Sequence, residues 1–488
     1  MAERYWSGEK SRGITRRIVI EGDLVLLTPA HLGNGEGATV DELVDMTLLL
    51  DPLAEADGVE RPLLTGATIA GALRSYLREL EQGGRRDGRS GSSSSMLFGG
   101  DKGNDEGEQS RLIVDDALGI DSGIELRDGV RLKGTTRTAE DKAKFDLQLW
   151  EAGTVFPIRF ELTINREVVA CGDTEGLLRV LATAVNGLTN RAVTLGARKR
   201  RGYGQVAVRN WRLREYNLTN TEDLLSWIRE GGQSLHEEYM LTTEALTARL
   251  GGVITDHRNR LSVSAVFSLN GSMLIRAGGG KSDRGPDMAH LQSRQADGST
   301  AQILSGTSLA GAIRARVETI INTLAPEYTG DIIADLFGNT GQASRITVSE
   351  QPIKNGVNNL VQNRVAIDRF TGGARETALF NQQPVFGGDE TQVQVKLDLT
   401  NPEPHEIGLM MLVLKDLWTG DLPVGGEQSV GRGRLKGREA TINLWQAGEA
   451  TTWRLIEDDQ RLQIDGEASW LDDYVSTALP AYLHSPRT

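Results

Sequence analysis

Two stretches of this sequence, 240 residues apart, are nearly the same. Leu64–Tyr76 reads LTGATIAGALRSY and Leu304–Arg316 reads LSGTSLAGAIRAR, with six of thirteen positions identical and four more exchanging Thr for Ser or Ile for Leu. Shorter pairs follow in the same order: LFG at Leu97 and Leu336, SR at Ser110 and Ser344, RTAED at Arg137 and RVAID at Arg364, and GxxxxxGxG at Gly196 and Gly425. Solenoid repeats are much shorter than this. The sequence therefore predicts two whole domains of the same fold.

The two units are expected to cover about 14–250 and 251–488, because the second copy of the repeated helix follows the first at an offset of 240 residues. The low-complexity segment Gln82–Ser95 (QGGRRDGRSGSSSS) has no counterpart in the second copy. Its composition is typical of a flexible linker. We predict that it is a mobile loop inserted into the first unit.

Strand and helix patterns alternate within each copy, which predicts an α+β unit with a ferredoxin-like, RRM-like sheet. Thr68 is expected to cap the repeated helix. Each copy is expected to close with a strand and a short helix carrying a tryptophan (Trp227 and Trp470). The predicted strands are Ile18–Leu27, Thr154–Asn165, Gln205–Leu213 and the segment from Arg434, and the predicted helices are Thr68–Leu80, Thr174–Asn186 and Glu406–Trp418.

The bulk composition is that of a globular protein with a net charge of −13. No apolar run is long enough to cross a membrane, and Cys171 is the only cysteine, so a cytoplasmic protein without disulfides is expected. An acidic chain is a poor non-specific binder of nucleic acid. However, Arg191–Arg214 holds eight Lys or Arg and no Asp or Glu. This window predicts a local strip that binds phosphates.

Within that window lies a glycine-rich loop, GARKRRGYG. A dinucleotide-binding loop would follow a strand and precede a helix, whereas here the order is helix, loop, strand. Two interpretations of the loop remain: it is a structural turn, or it is a basic loop that lies against an RNA backbone. Tyr203 would then either stack on a base or fill the core. The second loop is weaker, because Glu427 lies among its cations. The loop residues that we predict to bind RNA are Arg198, Lys199, Arg200, Arg201, Gly202, Tyr203, Gly204, Gly431, Arg432, Gly433 and Arg434.

The repeated helix carries a glycine in its interior, Gly71 and Gly311 in the two copies. Glycine there costs about 1 kcal/mol relative to alanine, so a reason for it is expected. Either another backbone or a ligand approaches closely, or the helix packs tightly on the sheet. Arg74 and Arg314 follow on the same face and are predicted to bind RNA.

These motifs resemble the RAMP superfamily (repeat-associated mysterious proteins) of CRISPR systems. The most specific match is Asn363–Phe380, NRVAIDRFTGGARETALF, together with the helix LSGTSLAGAIR and the loop GARKRRGYGQV. The resemblance covers nearly the whole chain twice. The chain is similar to a tandem backbone subunit, of the Cas-seven type, from a type III effector complex. The fusion of two such units in one chain suggests subtype III-D.

The resemblance implies a palm with a protruding β-hairpin thumb in each unit. The thumbs would lie around Arg131–Trp150 and Arg364–Phe386, with Arg137, Arg364 and Arg369 on RNA. Such units stack along a guide RNA (crRNA), and the thumbs kink the guide–target duplex. The implied partners are crRNA, target RNA, other RAMP backbone subunits and the large cyclase-type subunit, with no membrane and no small-molecule substrate.

The resemblance also implies target-RNA cleavage at an aspartate before the repeated helix. Asp45 and Asp287 fit, because an Asp-Met pair recurs at an offset of 242. Asp41 and Asp283 are the competing assignments, and a turn-capping role is the alternative. The family implies an endoribonuclease that uses a divalent ion, expected to be Mg²⁺ held by the same aspartates.

The sequence leaves alternative functions open. One is a non-catalytic RNA-binding scaffold of the same complex, and another is a guide-processing endonuclease. The histidines form no metal-binding pair, and His31 and His290, near the aspartates, are expected to lie in surface loops.

Overall fold

A computed structural model describes residues 13–33, 46–53, 61–82, 92–100, 109–120, 123–132, 139–276, 286–446, 448–458 and 461–484. The chain forms two antiparallel sheets of the same topology, one from each half. In each, the βαββαβ order produces neighbours 4-1-3-2, which is the ferredoxin-like arrangement. The predicted α+β class and the duplication are confirmed.

The first unit contributes the smaller sheet and the helices that cover it. Its strands are β1 Ile14–Leu26, β2 Leu63–Leu64, β3 Leu112–Val114, β4 Ala117–Leu118, β5 Ile124–Leu132, β6 Ala139–Trp150, β7 Val155–Asn165, β8 Val206–Asn217 and β9 Met240–Leu241. Its α-helices are α1 Gly66–Gln82, α2 Ser92–Phe98, α3 Arg166–Cys171, α4 Thr174–Thr189, α5 Thr221–Glu230 and α6 Thr243–Arg249.

The second unit repeats this order and adds two strands at one sheet edge. Its strands are β10 Arg260–Asn270, β11 Ser272–Met273, β12 Met288–Ala289, β13 Gln292–Arg294, β14 Thr300–Leu304, β15 Ile346–Val348, β16 Gln351–Lys354, β17 Gln362–Ile367, β18 Ala374–Gln383, β19 Val385–Phe386, β20 Gln392–Thr400, β21 Arg434–Gln446, β22 Glu449–Asp458 and β23 Arg461–Asp465. Its α-helices are α7 Gly306–Leu324, α8 Thr329–Phe337, α9 Pro404–Trp418, α10 Ala468–Asp473 and α11 Leu479–Leu483.

The repeated helices α1 and α7 begin in the same way. The hydroxyl of Ser305 accepts a hydrogen bond from the backbone N–H of Ser308 at 3.2 Å, and Thr65 does the same for Thr68, also at 3.2 Å. These hydroxyls satisfy an amide that the first helical turn leaves without a partner. The prediction of Thr68 as the cap is wrong by three residues, because Thr68 is the donor and Thr65 the acceptor.

The inserted segment of the first unit is shorter than predicted. Helix α1 runs through Gln82, and residues 92–98 form α2, so Ser92–Ser95 is helical instead of a loop. Residues 83–91 lie outside the described residues. Helix α2 is the counterpart of α8, since both end at the repeated Leu-Phe-Gly.

Each unit carries a two-stranded β-hairpin at the predicted thumb. β5 pairs with β6 in the first unit and β17 with β18 in the second, so both hairpins begin earlier than predicted. The register places Gly129 opposite Phe145 and Arg364 opposite Phe380.

The match between RTAED and RVAID is therefore not structural. Ala139 begins the returning strand of the first hairpin, whereas Arg364 lies on the outgoing strand of the second. The registers align the hairpins differently, since Phe145 follows Gly129 by as many residues as Phe380 follows Arg364, which makes Gly129 the counterpart of Arg364. Arg137 itself lies outside the described residues.

The two units have separate hydrophobic cores and meet along one junction. At its centre, Arg127 of strand β5 is 4% exposed and faces Glu350 of the second unit, also 4% exposed. The Arg127 Nη2 donates to Glu350 Oε1 at 2.9 Å. Burial alone would lower the pKa of Arg127, but the charge and hydrogen bonds of Glu350 outweigh it, and the pKa is raised well above its usual value.

Other pairs at the junction connect the first hairpin to β13 of the second unit. The hydroxyl of Ser293 donates to Glu125 Oε2 at 2.6 Å, and Arg294 lies 3.3 Å from Glu151. Burial raises the pKa of Glu125. A buried charge is tolerated only with partners of this kind. The junction therefore fixes the first hairpin base against the second unit.

Candidate nucleic-acid interface

The first glycine loop connects the end of α4 to strand β8 through one short 3₁₀ turn, Lys199–Arg201. Arg198 and Gly202 flank this turn, both in the left-handed backbone region, with φ of 55° and 89°. A Cβ on Gly202 would lie 2.3 Å from the backbone nitrogen of Glu350 in the second unit. Gly202 is therefore needed both for its backbone angle and for close approach across the junction.

The cations of this loop are only partly neutralised. Arg200 donates to the Thr347 hydroxyl at 3.0 Å and lies 3.7 Å from Glu79. Burial lowers the pKa of Arg198, Lys199 and Arg201. Within the described part of the chain, Nη1 of Arg201 is buried without a hydrogen bond. Such a group is stabilised by an anion.

Arg314 on helix α7 adds to the same positive field. It is exposed, and its charge helps to lower the pKa of Arg201 after the larger effect of burial. Arg201 belongs to the first unit and Arg314 to the second. The junction thus brings together cations that are more than a hundred residues apart in sequence.

Arg74, the counterpart of Arg314, is used differently. Both guanidiniums lie over an equivalent ring, Arg74 over Phe98 and Arg314 over Phe337. In addition, the Nη2 of Arg74 donates to the carbonyl of Phe98 at 2.5 Å and to that of Gly99 at 3.3 Å. These bonds satisfy carbonyls at the end of α2. Of the two predicted arginines, Arg314 is the one that is exposed.

Gly71 and Gly311 lie on exposed helix faces. A Cβ built on either meets no described atom within 4 Å. The alternative reading, tight packing of the helix on the sheet, is therefore wrong for both. The open face leaves room for a ligand beside Arg314.

Tyr203 fills the interior of the first unit. Its ring is 3% exposed and clusters with Met46, Leu147 and Leu149, while Arg127 lies over it at 5.4 Å. The predicted stacking on a base is wrong for this arrangement, because the ring has no accessible face. Its flanking glycines serve the tight turn of the loop.

The second glycine loop repeats the backbone but not the charge. Glu427 (φ 59°) occupies the position of Arg198, and Arg432 occupies that of Tyr203. Arg432 is 3% exposed, lies 3.0 Å from Glu427 and donates to Gln362 at 2.6 Å. The prediction that Arg432 binds RNA is contradicted, because its charge is buried and paired. Arg434, at the start of β21, is exposed.

The tip of the second hairpin carries an exposed aromatic side chain that sequence reasoning missed. Phe370 is 96% exposed, in a turn that the Asp368 carboxylate holds by accepting the N–H groups of Phe370 and Thr371, each at 2.9 Å. Arg369 beside it is exposed, whereas Arg364 lies 3.4 Å from Glu427. The motif IDRFTGGA includes this phenylalanine, so the sequence could have indicated an aromatic side chain at the hairpin tip.

Asp287 is attached to the returning strand of that hairpin. Its backbone N–H donates to Asn381 Oδ1 at 2.6 Å, and its Oδ2 accepts the Asn381 N–H at 2.8 Å. The side chain is exposed. Met288 pairs with Gln382 of the hairpin, and Gln382 contacts Glu427 of the second glycine loop. Asp287 and this loop therefore both lie at the base of the hairpin.

Asp45, Asp41 and Asp283 lie outside the described residues. Met46, next to Asp45, bridges to Leu147 in the parallel sense, as Met288 does to Gln382. The methionines of the repeated Asp-Met pair, Met46 and Met288, thus lie at equivalent places in the two units. Asp51 is 7% exposed and accepts the N–H of Leu53, which is a turn-capping role.

His31 and His290 are buried, at 4% and 2% exposure, so the expectation of surface loops is wrong. His31 Nδ1 lies 2.9 Å from the carbonyl of Gln148. His290 contacts the carbonyls of Met273 and Ile303 through its two ring nitrogens. Burial lowers the pKa of His290 to about 4, so it is neutral near pH 7 and acts as a structural residue.

The described residues do not assemble a metal centre. No group of three or more His, Cys, Asp or Glu side chains among them could hold an ion. Asp287 offers a single carboxylate, of which one oxygen already accepts a backbone N–H. Mg²⁺ bound by one carboxylate would take its other ligands from water and phosphate.

The family model of the RAMP superfamily matches residues 23–207 and 267–436. These two regions cover most of the chain, and each begins inside a central strand, β1 in the first sheet and β10 in the second. The chain belongs to the RAMP superfamily and contains two copies of its domain. Membership indicates a CRISPR-associated RNA-binding subunit. No curated protein matches the chain. Among the residues that the structure describes, no helix has the length and hydropathy to cross a membrane.

Proposed function

We propose that this chain is a guide-RNA-binding backbone subunit of a type III CRISPR effector, with units at about 14–250 and 251–488. The observation that carries the proposal is the cationic strip at the junction, where Arg198, Arg201 and Arg314 meet beside the open helix face at Gly311. Phosphates neutralise such a strip, and they make binding depend on salt. The tandem fusion favours subtype III-D.

The second hairpin supports a role in kinking a guide–target duplex. Phe370 projects from a turn that hydrogen bonds to Asp368 close, and its side chain is almost fully exposed. An exposed apolar wedge inserted at a base step unstacks it and bends the duplex. Arg369, at the same tip, would contact the flanking phosphate.

Asp287 supports target cleavage at the base of this hairpin. RNA carries its own nucleophile, so a carboxylate has only to accept the proton of a 2′-hydroxyl aligned with the scissile phosphate. The 2′-oxygen then bonds to phosphorus as the bond to the 5′-oxygen breaks. Asp45 would do the same in the first unit, and family membership is what suggests divalent-ion assistance.

A non-catalytic scaffold is the competing function. It is favoured at Asp287 because the described residues include no group of three or more His, Cys, Asp or Glu side chains that could hold a metal ion. The two functions share the RNA-binding strip and differ only in the aspartates. Replacing Asp45 and Asp287 therefore separates the two functions.

Replacing Arg198, Lys199 and Arg201 together with alanine is expected to weaken binding of single-stranded RNA by roughly 10- to 100-fold near physiological salt. Each lost phosphate contact flattens the plot of log affinity against log salt by about 0.7, so the slope should fall by about two. Fluorescence anisotropy across a salt series measures both quantities.

The control removes the same charge elsewhere, with Arg229, Arg454 and Arg461 replaced by alanine. These three are away from the strip, on α5 and on the outer strands of the second sheet. If both triple variants lose affinity and slope equally, the binding is non-specific and the strip has no special role.

Replacing Gly311 with alanine should have opposite effects on stability and on binding. An exposed helical glycine changed to alanine stabilises the fold by about 0.5–1 kcal/mol. The added methyl meets no protein atom but enters the open face, so RNA affinity should fall severalfold. Thermal unfolding and anisotropy test this on the same sample, and unchanged RNA affinity would remove Gly311 from the interface.

A further inference from the structure

The first glycine loop and the first hairpin meet through an arginine that is stacked on an aromatic ring. The guanidinium carbon of Arg198 lies 4.3 Å from the centroid of the Phe145 ring. Phe145 is on strand β6, and its ring covers Gly129 of β5, where an added Cβ would collide with the ring. A glycine in a strand permits such a close approach. The hairpin therefore provides an aromatic platform for one cation of the strip.

The loop backbone brings this side chain to the hairpin in both units. Arg198 has a φ of 55°, and Glu427, its counterpart in the second unit, has a φ of 59°. Residues other than glycine seldom adopt this left-handed conformation. Glu427 also meets the hairpin of its own unit, since it lies 3.4 Å from Arg364 of β17. The contact between loop and hairpin is thus a repeated feature of the fold.

The two units make this contact with different chemistry. By the register of the hairpins, Arg364 takes the place of Gly129. A cation on a ring in the first unit therefore stands where the second unit has an ion pair. An aromatic ring attracts a cation through its quadrupole and carries no net charge. The contact in the first unit leaves the full positive charge on Arg198, whereas that in the second is between opposite charges.

Arg198 has no acidic partner in the part of the chain that the structure describes. Burial lowers its pKa, and no carboxylate there lies within ion-pair distance to oppose this effect. Its neighbour Arg200, in contrast, lies 3.7 Å from Glu79. A guanidinium stays charged in proteins even when its pKa is lowered. A phosphate is an anion that would compensate this charge.

Given the role of the strip in RNA binding proposed above, we propose that Phe145 is a positioning residue for RNA, which holds the Arg198 guanidinium in place for a phosphate of the guide. Binding through a flexible arginine orders the side chain and lowers affinity, and a guanidinium already stacked on a ring avoids much of that loss. Because the ring belongs to the first hairpin, the stack also fixes the phosphate contact relative to that hairpin.

A double-mutant cycle between Phe145 and Arg198 tests this role, by fluorescence anisotropy of the full chain with an oligouridylate over a salt series. Phe145→Leu keeps an apolar side chain without the ring, so affinity should fall about two- to fivefold with the same salt dependence. Arg198→Ala should lower affinity at least as much and flatten the plot of log affinity against log salt by about 0.7. In the Arg198→Ala background, Phe145→Leu should have no further effect, because residues that act through one contact are not additive.

Two further variants separate positioning from folding. Phe145→Tyr keeps an aromatic face and should bind RNA like the native chain. Trp227→Leu removes a ring that lies over Arg17 at 4.6 Å, on α5 and away from the strip, and should leave RNA affinity unchanged. Thermal unfolding shows whether each variant is folded. Should Phe145→Leu unfold, Phe145→Met carries the same expectation.

The possible failures are distinguishable. If Arg198→Ala weakens binding and Phe145→Leu does not, the strip binds RNA and Phe145 has no positioning role. If Phe145→Leu weakens binding equally with and without Arg198, the ring acts on the fold and not through the arginine. If Arg198→Ala changes neither affinity nor salt dependence, both the positioning role and the proposed place of Arg198 in the RNA interface are wrong.

Discussion

Changing Asp287 to alanine is expected to abolish one set of target-RNA cuts in the assembled complex while leaving guide RNA bound. Loss of a general base slows a reaction by about 10²- to 10⁴-fold, so cuts at the positions served by the second unit should disappear from a sequencing gel. Changing Asp45 to alanine should remove the cuts of the first unit in the same way. The double variant should bind target without cutting it at either place.

A matched pair of variants separates charge from architecture at this site. Asp287→Asn keeps an oxygen that accepts the Asn381 N–H, yet it removes the charge. It should therefore lose cleavage as fully as the alanine variant and unfold at the same temperature as the native protein. Asp389→Ala, at a side chain 85% exposed elsewhere in the second unit, should cut normally. Cutting that persists at the same positions in the Asp45 and Asp287 double variant would show that these aspartates are wrongly assigned as the cleavage residues.

The second large effect is expected at the junction. Arg127→Met removes the cation and leaves Glu350 buried without a partner, which typically costs about 3–5 kcal/mol. Because the pair joins the two units, urea unfolding should shift to lower denaturant and separate into two transitions. Spectroscopic unfolding of the full chain, without RNA, measures this.

The triple variant Arg127→Met with Glu350→Leu and Glu125→Gln should recover most of the lost stability, because Glu125 also pairs with Arg127 and its charge has to be removed as well. Replacing a buried ion pair by apolar side chains of similar size is often neutral, because no charge remains to be desolvated. Arg461→Met, on an exposed strand, is the control and should change stability by less than about 0.5 kcal/mol. A cost below about 1 kcal/mol for Arg127→Met alone would show that another contact holds the junction.

The fold was largely predictable because its signals are local. Strand β7 alternates buried and exposed residues in the period that the sequence showed, and helix α4 lies where an amphipathic pattern was found. The errors fell where a local signal was ambiguous. Thr65 and Thr68 both suit a helix start, and the serines of Ser92–Ser95 suit either a loop or a helix.

The candidate site was less predictable, because its properties depend on distant partners. Arg198 and Arg432 are both basic loop residues in sequence, yet only the second is paired with Glu427 inside the hairpin base. Arg74 and Arg314 occupy one motif position, yet Phe98 and Gly99 take up the first of them. No spacing rule distinguishes these cases.

The sequence by itself determined that two ferredoxin-like units follow one another, and that their repeated helix, loop and Asp-Met pair recur in order. Two features of the sequence suffice for this. One is the identity between the two halves, and the other is the spacing of apolar residues in the strands and helices. Only the tertiary structure decided which cations remain available to a phosphate and which hold the protein together. The charge of Arg127 is compensated by Glu350, 223 residues away, and burial of such a pair is a property of the folded surface alone.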